Sequence, residues 1–294
     1  MERYDLFIVG GGAAGISSAI AASKKIKKVL LVDENKTLGG ILNQCIHNGF
    51  GLSYFKEDLT GTEYAKKLIS LLSSTDTEIL TETTVLKITK DKSALISNKH
   101  GIREVYFDNL ILATGCLEKT IGTLPLSGTR PSGIFTAGEA QKIINIDNKP
   151  FGDNIVILGS GDIGQIMARR FSIMGKNVIA VIEKDDHLGG LKRNHERCIK
   201  AHNIPVIFNS TICEICGEKT LTGVWIKNIK TNEKSFIPCE TLVTAIGLSP
   251  DKSLTEDFES IPSWIKLTGN CDYVHEIVDA VTIHAEETIN NLYK

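Results

Sequence analysis

Mostly apolar residues run from Tyr4 to Val9 and stop abruptly at Gly10-Gly11-Gly12. Small and aliphatic residues follow at helical spacing over Ala13 to Ser23. Lys24 to Lys28 then places cations where the helix should end, facing the negative end of its dipole. Val29 to Val32 is a second short apolar run. The pattern predicts strand, glycine turn, helix and strand, the opening of a parallel sheet. It returns 150 residues later. Asn154 to Leu158 predicts a strand, Gly159-Ser160-Gly161 a turn, Asp162 to Met174 a helix capped by Gly175, and Asn177 to Ile182 the next strand. The likeness extends further. Lys36-Thr37-Leu38-Gly39-Gly40 answers Asp186-His187-Leu188-Gly189-Gly190, and Asp33 and Glu183 each stand six residues before their Gly-Gly.

Between the copies, Glu78 to Ile96 and Val105 to Leu112 read as strands. Pro205 to Phe208, Gly223 to Ile229 and Thr241 to Ile246 read as strands after the second copy. His275 to Leu292 reads as an amphipathic helix. The fold class expected is α/β, with two Rossmann-like dinucleotide-binding domains.

Composition narrows the function classes. Hydrophobic residues make up 42% and charged residues 23% of the 294, at a net charge of -2. Those values suit globular domains and give no basic footprint for nucleic acid. No apolar run reaches the roughly 18 residues of a membrane span, and the N-terminus lacks a signal-peptide pattern. A cytoplasmic protein is expected. The seven cysteines are odd in number and scattered, which suggests reduced thiols.

The two glycine motifs carry the chemistry. In Gly10-x-Gly12-x-x-Gly15 the first glycine permits the turn, the second lets backbone approach a pyrophosphate, and the third lets helix and strand pack closely. Asp33, about 20 residues on, supplies a carboxylate for a ribose diol. Gly159-x-Gly161-x-x-Gly164 with Glu183 repeats the design. An acid there accepts from a ribose 2′-OH and repels a 2′-phosphate, so NAD(H) is favoured and NADP(H) disfavoured. Lys184 follows directly and works against that preference.

Further strings resemble a known family. Leu112-Ala113-Thr114-Gly115, Thr244 to Pro250, and Gly269-Asn270-Cys271 resemble the flavin-binding and return segments of the pyridine nucleotide-disulfide oxidoreductase superfamily. Asn270 stands where that family has an aspartate. Gly39 to Gly51 (GGILNQCIHNGFG), Gly189 to Asn194 and Val274 to Asp279 resemble the NAD/FAD oxidoreductases associated with anaerobic glycerol-3-phosphate dehydrogenase. The resemblance implies FAD at the first motif and NAD(H) at the second. It implies an FAD domain in two segments, 1–117 and 246–294, around an NAD(H) domain at 118–245, with no C-terminal dimerisation domain. It implies FAD contacts from Gly10, Gly12, Ala13, Ala14, Gly15, Asp33, Glu34, Gly40, Gln44, Cys45, Val85, Ala113, Thr114, Gly115, Gly269 and Asn270. It implies NAD(H) contacts from Gly159, Gly161, Asp162, Ile163, Gly164, Glu183, Lys184 and Gly247.

The dithiols of disulfide reductases are missing. Phe135 to Ala140 holds no cysteine where a thioredoxin reductase carries Cys-x-x-Cys, and Cys45 is alone after Gly39-Gly40. Cys213-x-x-Cys216 falls in a predicted strand, where residues three apart face opposite ways unless a bulge intervenes. The resemblance puts Cys45 at a helix start beside the flavin, where a lowered pKa would make it a reactive thiolate. A small packing residue is the alternative. The activity expected is hydride transfer from NADH to flavin and onward delivery of electrons to a small-molecule or protein acceptor. Two other readings stand beside it: a thiol, disulfide or peroxide reductase using Cys45, and an electron-transfer subunit of a larger dehydrogenase complex. A homodimer or a complex partner fits these readings.

Overall fold

A computed structural model of the chain describes residues 2–294. The chain divides into two compact units. One comprises the segment up to Leu117 together with Ser249–Lys294, the other Glu118–Leu248.

The first unit is built on a sheet ordered Glu78–Leu80, Val29–Val32, Arg3–Val9, Gly101–Leu112, Ser93–Asn98, Thr84–Ile88, with Ile265–Leu267 also pairing with Gly101–Leu112. The strands carrying the glycine turn and its neighbours are parallel. Every residue of Val29–Val32 is buried, as expected of a strand covered on both faces. Helices Ala13–Ser23, Gly61–Leu72 and Val278–Leu292 pack one face through Leu6, Ile8, Ile16, Leu68 and Ile289. The other face holds Phe7, Phe107 and Ile96, with Trp264 and Phe258 against them.

The strand region expected over Glu78 to Ile96 is three strands. Glu82 and Lys92, both at positive φ, mark the breaks. The last strand begins at Gly101 rather than Val105, because it first forms a hairpin with Ser93–Asn98. The C-terminal helix begins at Val278, not His275. Asn270 accepts a hydrogen bond from the His275 backbone N–H at 2.9 Å and holds that residue in the preceding turn.

The second unit repeats the plan. Its parallel sheet runs Ile134–Thr136, Thr241–Thr244, Asn154–Leu158, Asn177–Ile182, Val206–Ile207. Helices Ala137–Asn145 and Asp162–Ile173 cover one face. A smaller sheet formed by Ser127–Gly128, Ser210–Cys216, Gly223–Asn228 and Lys234–Pro238 covers the other.

Candidate functional site

In each unit the glycine turn joins a central parallel strand to a helix, at the carboxyl ends of the strands. Gly10 has φ +100°, and a Cβ there would lie 2.4 Å from the Ala113 carbonyl oxygen. A Cβ on Gly15 would lie 1.7 Å from the Gly10 oxygen. Those two glycines let helix Ala13–Ser23 sit close against its sheet. Gly12 differs. Its backbone is extended at φ -77°, and an added Cβ meets nothing within 4 Å. Open space lies in front of a helix that starts without a side-chain cap. The leading N–H groups of a helix have no intrahelical partner and attract anions. This cradle fits a pyrophosphate.

Asp33 is buried beside the cradle. Its Oδ2 accepts from Gly11 N at 2.6 Å, and its Oδ1 accepts from Asn35 N at 2.7 Å and Asn35 Nδ2 at 3.0 Å. One lone pair of Oδ2 is left for a ribose hydroxyl. Glu34 is exposed. The Gly39-Gly40 turn closes over the motif. Gly39 N donates to Gly11 O at 2.8 Å, and a Cβ on Gly40 would approach Gly12 Cα to 3.2 Å.

The Gly269–Cys271 turn packs on the same helix start, where a Cβ on Gly269 would meet the Ala14 methyl at 2.6 Å. Asn270 Oδ1 accepts from both the backbone N–H and Nδ1 of His275, and Asn270 Nδ2 donates to Cys116 Sγ. Because Asn270 Oδ1 only accepts, His275 carries its proton on Nδ1. Nε2 is then an acceptor, buried and without a partner among the described residues. Burial first, and the neighbouring His284 second, hold the His275 pKa below the usual histidine value. Thr114 Oγ1 donates its one proton to Asp251 O at 2.8 Å and lies 3.1 Å from Cys271 Sγ. Ala113 and Thr114 thus pack on the first glycine turn and Gly269 on its helix start, with Gly115 and Asn270 adjoining them in the chain. Val85 instead has its side chain in the core with Phe7 and Phe107.

Cys45 is not at a helix start. Gly40–Gln44 is a single 3₁₀ turn, and Cys45 closes its C-terminal end. Its Sγ donates to Ile41 O at 3.3 Å, and its carbonyl accepts from Gly61 N at 2.9 Å. Burial pushes the thiol up to about 12, so the expected lowering is reversed. The reason is local. The site removes water from the sulfur, and the sulfur stands at the C-terminal end of the turn, away from any positive helix end. Gln44 beside it is also buried.

The second turn reproduces the first with different wiring. Gly161, at φ -60°, opens helix Asp162–Ile173 without a side-chain cap, and its Cβ position is also open. A Cβ on Gly164 would lie 2.3 Å from the Gly159 oxygen. This cradle too fits a dinucleotide pyrophosphate. Asp162 is turned aside from it. Its Oδ1 accepts from Leu191 N at 2.8 Å and Asn194 Nδ2 at 2.7 Å. Ile163 packs against the core, and Lys184 is exposed. Glu183 is buried. Its Oε2 accepts from Ser160 N at 2.9 Å and Ser160 Oγ at 2.6 Å, and its Oε1 accepts from Asp185 N at 3.1 Å. Burial opposes the charged form, but these hydrogen bonds outweigh it and hold the carboxyl below its ordinary value. Gly247 has φ +110° beside Lys119 at the end of this unit.

Sequence reasoning missed Ser160 and Gln165, which tie the Gly189-Gly190 loop to this turn, Asn194, which bonds Asp162, and His195, which braces Gly189 O. Only Ser160 carried a signal, a hydroxyl where the first copy has Gly11. Cys213 and Cys216 lie on strand Ser210–Cys216. A bulge between Ile212 and Glu214 does interrupt it, yet Cys213 Sγ bonds to Trp225 O and no disulfide joins the pair.

The family described as pyridine nucleotide-disulphide oxidoreductase matches residues 4–262. Thioredoxin reductase 1 of Saccharomyces cerevisiae is 30% identical over 262 residues, covering 85% of this chain and 79% of that protein. A dihydrolipoyl dehydrogenase of Buchnera aphidicola is 27% identical over 280 residues, and the chain spans 57% of its length against 85% of its own. The crystal structure of T. acidophilum thioredoxin reductase superposes with a TM-score of 0.81 at 21% identity, covering 100% of this chain and 98% of that one. That structural likeness concerns the fold.

Proposed function

The chain belongs to the pyridine nucleotide-disulphide oxidoreductase family, and we propose that within it this protein takes a hydride from NADH onto FAD and passes the electrons to a separate acceptor. The carrying observation is the pair of open cradles at Gly12 and Gly161, each beside a buried carboxylate. FAD, when bound, supplies the redox chemistry between nicotinamide and acceptor. The protein's share is to hold it. The helix start at Gly12 receives the pyrophosphate, Asp33 the ribose, and the Gly269–Cys271 turn with Ala113, Thr114 and Gly115 lines the same crevice. In the second unit, Gly161 receives the NADH pyrophosphate and Glu183 the adenosine ribose. The charged Glu183 disfavours a 2′-phosphate, which supports NADH over NADPH.

A Cys45-dependent reductase is the weaker reading. A thiol that is buried and held protonated at neutral pH is a poor nucleophile. Glu139, Ala140 and their neighbours offer no thiol in the second unit either. The acceptor we infer is therefore reduced by flavin without a protein dithiol. Purification, followed by identification of the released flavin and assay of NADH oxidation with an artificial dye, tests this reading. One FAD per chain with NADH-dependent dye reduction is expected. Protein that neither carries nor takes up FAD would overturn it.

A further inference from the structure

The two copies of the dinucleotide design hold their Gly-Gly loops differently. In the first, Gly39 N donates to the backbone oxygen of Gly11. In the second, the equivalent Gly189 N donates at 2.9 Å to a side chain, Ser160 Oγ. The Ser160 backbone oxygen accepts instead from Gln165 Nε2 at 2.7 Å, and the same Nε2 donates to Gly189 O at 2.7 Å. His195 Nε2 also bonds Gly189 O, at 2.9 Å. The loop over the second cradle is thus latched by side chains.

Ser160 does more than hold the loop. Wholly buried, its hydroxyl spends its one proton on Glu183 Oε2, which also accepts the Ser160 N–H. Both lone pairs of Oε2 are then used. Asp185 N takes one on Oε1, leaving at most one for a ligand hydroxyl. In the first copy, Gly11 gives Asp33 only its N–H.

We propose that Ser160 sets the dinucleotide preference of the second site, by fixing the Glu183 carboxylate in one orientation and coupling it to the Gly189-Gly190 loop. Ser160 is a positioning residue. It acts on the ribose through Glu183. This rests on the NADH reading above. The hydroxyl pins the Glu183 carboxylate, so a ribose 2′-OH finds an acceptor already in place and a 2′-phosphate finds a fixed negative charge. Without it the carboxylate keeps only backbone donors, Ser160 N–H among them, and is held less tightly, so the preference falls.

The test is calorimetric titration of the full FAD-loaded chain with NAD+ and NADP+, which needs no turnover. Ser160→Ala should weaken NAD+ about tenfold, the scale of one hydrogen bond to a charged group, and bring the two affinities together. Ser160→Gly recreates the first copy, in which the loop can bond to backbone, and should still lose the preference. It also guards against poor folding of the alanine variant. In a Glu183→Gln background, Ser160→Ala should change the NAD+ to NADP+ ratio no further, the non-additivity expected of residues acting as one unit. An unchanged ratio in Ser160→Gly and Ser160→Ala, or full additivity with Glu183→Gln, would overturn the inference while leaving the NADH reading intact. Wild-type protein that binds neither dinucleotide would overturn both.

Discussion

Gly12 and Gly15 stand three residues apart in one motif, yet the structure predicts opposite consequences for adding a single methyl group. At Gly12 the backbone is extended and the new Cβ meets nothing within 4 Å. Alanine is a poorer N-cap than glycine, but it also restricts the unfolded chain, so the net change in apoprotein stability should stay within about 1 kcal/mol. The methyl would instead occupy the space where the pyrophosphate meets the helix start. Loss of two backbone N–H bonds to a charged group, at about 1.5 kcal/mol each, sums to about 3 kcal/mol, or a roughly 150-fold weaker FAD complex. At Gly15 the new Cβ would lie 1.7 Å from the Gly10 oxygen and 2.9 Å from its carbon. Helix and strand must move apart, at a cost of about 3 kcal/mol or more in overpacking. Urea unfolding of the apoprotein and fluorescence titration with FAD separate the two effects. Gly12→Ala should unfold like wild type and bind FAD poorly, and Gly15→Ala should unfold early. A Gly12→Ala protein with wild-type FAD affinity would refute the cradle.

Gly161→Ala should raise the dissociation constant for NADH by a factor of roughly 150, on the same two-bond reasoning, with FAD content unchanged. Equal NADH binding by both proteins would contradict it. Cys45 should resist iodoacetamide at pH 8 in the native protein and react once unfolded. Its pKa rises from 9.0 to about 12 on folding. Between those values the unfolded chain releases a proton that the folded chain keeps, so stability falls as pH rises above 9. Cys45→Val should flatten that alkaline slope in unfolding curves. The buried Asp279 carboxylate accepts from Gly51 N, Ser53 N and Tyr54 N at 2.6–3.1 Å. Asp279→Ala should therefore cost about 2–4 kcal/mol in urea unfolding, and a change under 1 kcal/mol would show that the loop holds itself.

Both glycine turns, their helices and their flanking strands were legible because period, punctuation and steric need coincide there. A tight turn and a close helix–strand approach leave glycine little competition at Gly10 and Gly15. The pairing of Asp33 and Glu183 was legible from register alone. The start of the last helix was not, because His275 is claimed by Asn270, a contact five residues back that no periodicity records. The state of Cys45 was left open between reactive thiolate and packing residue for a related reason. A thiol's pKa depends on which end of the turn it occupies and the water left around it, and neither is written in GGILNQC. The loop latch was hidden because its one signal, a hydroxyl where the first copy has Gly11, names no partner until Glu183 and Gly189 are brought to it.

Anaerobic rapid mixing of the FAD-loaded protein with NADH, and separately with NADPH, decides the two-cofactor assignment. Flavin absorbance near 450 nm is the readout. The two cradles and the charged Glu183 predict bleaching by NADH, and faster bleaching by NADH than by NADPH at equal concentration. No bleaching by either dinucleotide would contradict the proposed hydride transfer, and faster bleaching by NADPH would contradict the role given to Glu183.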